Sequence, residues 1–445
     1  MLNCNNDQSL GQTVEEKRRS ILIITYYWPP SGGAGVQRWL KFSKYLPEFG
    51  WDPIVFTPEN PDFDQKDPSL EKDINPSVEV LKFPIWEPYG LFKRLTGKKE
   101  LKQGQILETG NDSLFKKIAV WIRGNLFVPD PKRFWRRPSV KYLTSILETN
   151  QINYIITTGP PHSAHLIGRD LKLKNPAITW IADFRDHWSL WDILKQMRIT
   201  PFIWKKHMKL EQEVLKISDA ILTIGPSAAK EFSALGARRT HYITNGFDQE
   251  DLTEDVGRPY NKFVISHVGM LSKDRNPENL WSVLDELCQD QAFYEVLNLK
   301  LTGILSAEVQ AAISTYPRLM ERLSTQDSIP HDKVYEEYLS SNLLLLVQTN
   351  DDGANSQLPG KLFEYLSARR PILAIGRKDN DLSKVIQSCS VGESFQYDSR
   401  EGLKTFVRSE FEDWKSGKSK WQFRNIELYE RRNLTKNLSE WILSL

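Results

Sequence analysis

Apolar residues along this chain gather in short continuous runs, separated by longer stretches in which they recur every three or four positions. The runs SILIITYY (20–27), DPIVFT (52–57), INYIITT (152–158), AITWIAD (177–183) and DAILTIG (219–225) do not alternate with polar residues. Such runs fit strands covered on both faces, as in a parallel sheet. Between them, GVQRWLKFSKYLPEFG (35–50) and PFIWKKHMKLEQEVLKIS (201–218) carry apolar residues at helical spacing, and Gly50 closes the first. The rhythm restarts with KFVISHVG (262–269), LNLKLTG (297–303), LLLLVQT (343–349) and RPILAIG (370–376). Strand and helix in alternation predict an α/β chain built from βαβ units, as two doubly wound domains in tandem.

The polar, turn-rich NGFDQEDLTEDVGRPYNK separates the halves. The expected organisation is a disordered N-terminal tail (1–19), a first domain (20–250), a linker (251–261), a second domain (262–425) and a C-terminal helical segment (426–445) that can pack on either domain. Residues 60–118 carry no clear period.

Composition narrows the picture. At 445 residues the chain exceeds what one core usually organises. Lys plus Arg number 59 against 57 Asp plus Glu, so a net charge of +2 gives no support to nucleic-acid binding through phosphate neutralisation. The three cysteines, Cys4, Cys288 and Cys389, are far apart and form no CxxC pair. Reduced thiols in the cytoplasm are the simplest expectation. The N-terminal segment is polar and reads as neither signal peptide nor membrane span, and no stretch approaches the roughly 20 apolar residues a spanning helix needs. The 14 Trp are numerous without a chemical reason visible in the sequence.

Candidate chemistry lies at strand ends. SGGAG, with Gly32, Gly33 and Gly35, joins the first run to the first helix. That arrangement lets backbone amides approach an anion or polar ligand where a Cβ would intervene. Its spacing is neither GxGxxG nor GxxxxGK[ST]. WIADFRDHWS ends a strand with Asp183, Arg185, Asp186 and His187, a charged cluster suited to holding a polar ligand. TTGPPHSAH offers His162 on the same side, three residues before His165. A lone pair of histidines is a weak basis for a metal, and no metal is assigned. In SQLPGKLFEYLSARR, Gly360 opens a helix whose first turn carries Lys361, with Glu364 on the same face. The N-terminal amides and Lys361 together favour an anion. VPDPKRFWRRPS (128–139) sets basic residues around Phe134 and Trp135; it can grip an anionic membrane or a nucleic acid, or be a solvated turn beside an acceptor cleft.

PPSGGAGVQRWLKFSKYLPEFGWDPIVFTP, the junction NGFD and KLFEYLSARRPILAIG resemble, in order and spacing, bacterial GT-B glycosyltransferases of the family 4 type over about residues 20–400. The resemblance implies two Rossmann-like domains facing across a cleft, with the acceptor mainly on the first and a nucleotide diphosphate sugar mainly on the second. It implies transfer that is usually retaining and needs neither metal nor cofactor, the nucleotide sugar being a co-substrate. By it, Gly32, Gly33 and Gly35 lie near the transferred sugar and the donor phosphates. Gly269 is followed six residues later by Arg275, which with Lys273 would clamp the diphosphate, and Lys361, beside Gly360, would add a second cation. Glu364 would hold the ribose hydroxyls, while Asp183, Arg185, Asp186 and His162 fall on the acceptor side. The sequence departs from the pattern at Ser356, where the first glutamate of an E-x7-E motif is expected. Arg275, Lys361 and His187 are the residues expected to carry transfer to a saccharide or lipid-linked acceptor, as in surface polysaccharide assembly. Two other readings share the fold: a nucleotide-sugar epimerase and a catalytically inactive scaffold. Cytoplasmic localisation with peripheral membrane contact is compatible with all three.

Overall fold

The computed structural model describes residues 18–63, 66–87, 114–189, 194, 197–251 and 261–445. Two sheets, parallel throughout, form its frame. The first contains β1 (Arg19–Ile24), β2 (Trp51–Pro58), β3 (Glu79–Phe83), β4 (Tyr154–Gly159), β5 (Thr179–Phe184), β6 (Ala220–Thr223) and β7 (Thr240–Tyr242), in the order β3-β2-β1-β4-β5-β6-β7. The second contains β8 (Phe263–Val268), β9 (Leu297–Thr302), β10 (Leu323–Gln326), β11 (Leu343–Val347), β12 (Ile372–Ile375) and β13 (Gly392–Phe395), in the order β10-β9-β8-β11-β12-β13. Strand order reverses beside β1 in one sheet and beside β8 in the other. In open α/β sheets, ligands bind at such reversals, outside the carboxyl ends of the strands.

Every continuous apolar run became a strand. Ile21 to Ile24 are fully buried, since helices cover both faces of the sheet. The strands that lacked a run, β3, β7, β10 and β13, lie at or next to sheet edges, and most of their residues keep contact with solvent. β3 falls inside the stretch without a period, whose remainder from 88 to 113 lies outside the described residues. The strand β1 starts at Arg19, inside the expected tail, and residues 1–17 and most of the expected linker also lie outside the description.

The helix Ala34–Tyr45 follows β1, and Gly50, at φ +81°, turns the chain into β2. Seven of the fourteen tryptophans, Trp28, Trp39, Trp51, Trp135, Trp180, Trp188 and Trp281, are enclosed, which accounts for half of them as core. The C-terminal helix Arg431–Leu443 crosses back to the first domain. Leu434, Leu438 and Ile442 pack with Ile21, Trp39 and Trp51, each burial worth about 2 kcal/mol. Trp51 Nε1 donates to Ser439 Oγ at 2.9 Å, and Arg432 meets Glu48 at 2.6 Å.

The carboxyl edges of the two sheets meet. The helix Pro226–Ala234 follows β6, and the helix Asp381–Cys389 follows β12. Asp381 accepts from Ser227 N at 2.9 Å and from Ser227 Oγ at 2.7 Å, so a second-domain carboxylate caps a first-domain helix. Among the described residues no helix is long and apolar enough to cross a membrane.

Candidate functional site

On the second domain the site is built around β8 and β11. Gly269 ends β8 at φ +123°, in the region that favours glycine, and a Cβ there would fall 2.0 Å from Lys361 Nζ. A bare backbone thus makes room for the ammonium. Lys361 stands in the first turn of the helix Gly360–Ala368, whose N-cap, Pro359, offers no side-chain acceptor. Open space faces Gly360. No side chain caps the first turn of this helix, so its partial positive charge has no protein carboxylate as N-cap partner.

Arg275 follows on the short turn Lys273–Arg275. Its Nε is buried without a hydrogen-bond partner, and neither Arg275 nor Lys361 has a carboxylate at ion-pair distance among the described residues. Burial chiefly, partly offset by Glu364 and reinforced by the charge of Arg275, brings the Lys361 ammonium down to about 8. Two cations that feel each other's charge, with no carboxylate at ion-pair distance among the described residues, are suited to an anion. His267 beneath them is 2% exposed with Nδ1 2.9 Å from Leu345 O, and burial keeps it neutral by lowering it to about 3.

Glu364 does not pair with Lys361, one helical turn away. It accepts from Tyr338 OH at 2.6 Å, which fixes the carboxylate beside the helix His331–Leu339. Ser356 is 4% exposed; its hydroxyl donates to Gly353 O at 3.4 Å and lies close enough to Glu231 of the first domain to help hold that carboxyl down. Burial works to raise the Glu231 carboxyl, but hydrogen bonds from His187 and Ser356 outweigh it and leave the group below its usual value. A carboxylate is thus present beside position 356, supplied by the opposite domain.

On the first domain, Gly33 caps the helix Ala34–Tyr45 at φ +88°. A Cβ on Gly35 would lie 2.8 Å from Arg185 Nη1, which donates to Gly35 O at 2.9 Å. Arg185 Nη2 donates to Pro160 O, so one guanidinium joins the loops after β1, β4 and β5. Gly32 lies on the same loop. His187 Nε2 is 2.7 Å from Glu231 Oε2, and its ring stacks on Phe232 at 4.8 Å. Asp186 is reached by solvent, yet enough protein surrounds it for desolvation to raise its carboxyl, a combination expected at a concave floor.

Two expected acceptor-side residues lie beneath the site rather than in it. Asp183 is fully buried and receives Arg38 Nη2 at 3.0 Å, Trp39 Nε1 at 2.7 Å and Thr158 Oγ1 at 2.9 Å. These bonds consume its carboxylate, and removing one partner of such a buried pair costs about 3–5 kcal/mol. His162 is 4% exposed, its ring flat on Trp188 at 4.7 Å, and burial drives it far below its ordinary value. A strand-end position suggested both for the surface; Arg38 and Trp39 of the helix Ala34–Tyr45 enclose Asp183, and Trp188 covers His162.

Glu231, Asp381 and Tyr338 carry no motif. They reach the site only through tertiary contacts, such as the 154-residue separation of Ser227 and Asp381. Among the described residues no cluster of three or more His, Cys, Asp or Glu side chains could hold a metal ion. Cys288 and Cys389 are buried and unbonded.

No family model and no curated protein matches the sequence. Solved structures match the fold. A sucrose-phosphate synthase from Thermosynechococcus elongatus superposes with a TM-score of 0.56 at 13% identity, over 96% of this chain and 95% of that one. The lipopolysaccharide outer core galactosyltransferase WaaB, in its apo form, gives 0.54 at 14% identity over 96% and 99%. A UDP-N-acetylglucosamine 2-epimerase from Listeria monocytogenes, so described with reservation, gives 0.52 at 11% over 96% and 96%. The architecture is GT-B: two Rossmann-like α/β domains whose carboxyl edges face each other.

Proposed function

We propose that this chain is a glycosyltransferase of the family 4 type, moving a sugar from a nucleotide diphosphate sugar to a saccharide or lipid-linked acceptor. The observation that carries the reading is the pair of cations without counter-ions, Arg275 and Lys361, at the open N-terminus of the helix Gly360–Ala368. In the transfer, an acceptor hydroxyl oxygen bonds to the anomeric carbon while the bond from that carbon to the β-phosphate oxygen breaks, and the hydroxyl proton passes to the departing diphosphate. Negative charge grows on the departing diphosphate, and fixed cations and amides lower the barrier where that charge appears. Lys361, Arg275 and the Gly360 amide supply such a field without a metal. Glu364, held by Tyr338, is set to receive ribose hydroxyls. His187 and Glu231 face the sugar end from the first domain, and the glycine loop closes over the donor phosphates. Retention of configuration, and a role in surface polysaccharide assembly, follow from the family 4 reading.

The test is release of nucleoside diphosphate from a panel of nucleotide sugars, with and without bacterial glycan or lipid-linked acceptor fractions. Acceptor-dependent release that disappears in Lys361→Ala supports transfer. The similarity to the epimerase fold keeps a second reading specific: an altered nucleotide sugar formed without acceptor replaces transfer with epimerisation. Nucleotide-sugar binding and turnover both absent would leave a scaffold.

A further inference from the structure

A cluster of exposed apolar side chains on the first domain has no role in the cleft. The helix Leu114–Leu126 leaves Ile118 and Trp121, one turn apart, 48% and 43% exposed, and Leu126 follows at 56%. Its opposite side packs on the body, where a Cβ on Gly124 would already meet Ile199 and Met197. The apolar surface continues through Phe127 to Phe134, whose ring meets Trp86 edge-on at 4.7 Å. Trp86 is 57% exposed and Phe134 40%. Soluble surfaces rarely set this many large apolar groups side by side without a partner.

The sequence around the cluster is predominantly basic. From Leu114 to Leu147 the sequence holds eight basic residues and one acid, Asp130. Asp130 is turned inward to Ser163, accepting from its N at 2.8 Å and its Oγ at 2.7 Å. Lys132 and Arg136 are neutralised by Glu87 and Asp170. Arg133, Arg137 and Lys141 are exposed with no carboxylate partner among the described residues. Arg133 lies over the Phe134 ring at 5.7 Å. Aromatic and aliphatic groups beside exposed cations without carboxylate partners among the described residues fit the boundary of an anionic lipid bilayer, the rings entering the headgroup layer and the cations meeting lipid phosphates.

The cluster is also tied to the site. Trp86 lies three residues beyond β3, on the carboxyl edge of the first sheet. Its neighbour Glu87 accepts from Tyr26 OH at 2.7 Å and from Lys132 Nζ at 2.6 Å. Tyr26 leads into the glycine loop. We infer that Trp86, Ile118, Trp121, Leu126 and Phe134, with Arg133 and Arg137, form a docking surface for an anionic membrane. Docking there sets the cleft mouth against the bilayer, within reach of a lipid-borne acceptor. This goes beyond the assignment of transferase activity and stands on different residues.

The experiment is flotation of the purified full chain with vesicles of phosphatidylcholine, or of phosphatidylcholine with about one-third phosphatidylglycerol, at low and high salt. The wild type is expected to float with the anionic vesicles at least about tenfold more than with the neutral ones, and less at high salt. Trp121→Ser/Phe134→Ser is expected to lose at least about tenfold of the binding, and Arg133→Gln/Arg137→Gln its salt-sensitive part, with nucleoside diphosphate binding and thermal midpoint unchanged. Ile304→Ser, at a 50% exposed position on the other domain, is expected to bind as wild type. No flotation of the wild type, equal flotation with neutral vesicles, or full binding by the Trp121/Phe134 variant overturns the inference. So does a self-association abolished by that variant in a chain that ignores vesicles.

Discussion

Replacing Lys361 by methionine is expected to stabilise the free protein while weakening its grip on nucleoside diphosphates. The side chains are nearly isosteric, so the change removes a charge and little volume. In the free protein that charge is held at a loss: burial and Arg275 bring the group from 10.5 to about 8 against the partial relief from Glu364. That fall from 10.5 to about 8 corresponds to about 3.5 kcal/mol as an upper bound, at about 1.4 kcal/mol per tenfold change in proton affinity. Lys361 remains partly open to solvent, and screening reduces this to ~1–2 kcal/mol. For a domain of this size that is a rise of about 2–8 °C in its unfolding midpoint.

The pH dependence carries the sign. Between about 8 and 10.5 the unfolded chain keeps the Lys361 proton that the folded chain has released, so wild-type stability climbs with pH through that window. The variant lacks this climb, and its advantage is expected to be full at pH 7 and to shrink towards pH 10. Affinity for a diphosphate follows the opposite course. If only the ammonium binds the anion, wild-type affinity falls about tenfold from pH 7 to pH 9, whereas the variant binds weakly at both. Differential scanning fluorimetry over pH, with and without nucleotide, measures both effects. A variant less stable than wild type at pH 7, or one binding nucleoside diphosphate normally, refutes the assignment of Lys361 as an uncompensated cation kept for an anion.

Other perturbations separate the parts of the site. Glu364→Gln is expected to weaken nucleoside diphosphate binding by about tenfold and leave inorganic pyrophosphate binding unchanged, because the carboxylate is assigned to ribose; equal losses for both ligands in titration calorimetry would count against that role. Gly35→Ala should displace Arg185 from Gly35 O and the Pro160 loop, lowering acceptor-dependent turnover by about tenfold with a stability loss near 1 kcal/mol; unchanged turnover would show that the guanidinium bridge does not shape the cleft. Asp381→Ala removes both bonds to Ser227 across the domains, a loss of about 1–2 kcal/mol. Hydrogen exchange at the start of the helix Pro226–Ala234 should quicken about tenfold, and an unchanged rate would mean that the contact does not hold the domains together.

The sequence disclosed the two sheets because doubly covered strands must be apolar at every position, as in Leu343–Val347. It hid β3, β7 and β10 because edge strands keep solvent contact and need no such run. Lys361, Glu364 and Gly269 were legible because their placement is local: a helix start, a one-turn spacing, a glycine at a strand end. Asp183 and His162 misled because one residue of strand or turn decides whether a side chain meets the cleft or the core, and that choice is made by Arg38, Trp39 and Trp188 from elsewhere in the chain. Glu231 beside Ser356 had no local signal at all. The missing glutamate at 356 is visible in sequence; the carboxylate beside it comes from 125 residues earlier, in the other domain.

The account rests on Arg275 and Lys361 forming a diphosphate site that needs no metal. Its most direct test is calorimetric titration of UDP and GDP, with EDTA present, into the wild type, Arg275→Ala and Lys361→Ala. The account predicts that one nucleoside diphosphate binds the wild type despite EDTA and that each substitution weakens it by about tenfold or more. Binding that is absent in the wild type, that vanishes with EDTA, or that survives both substitutions unchanged would contradict it.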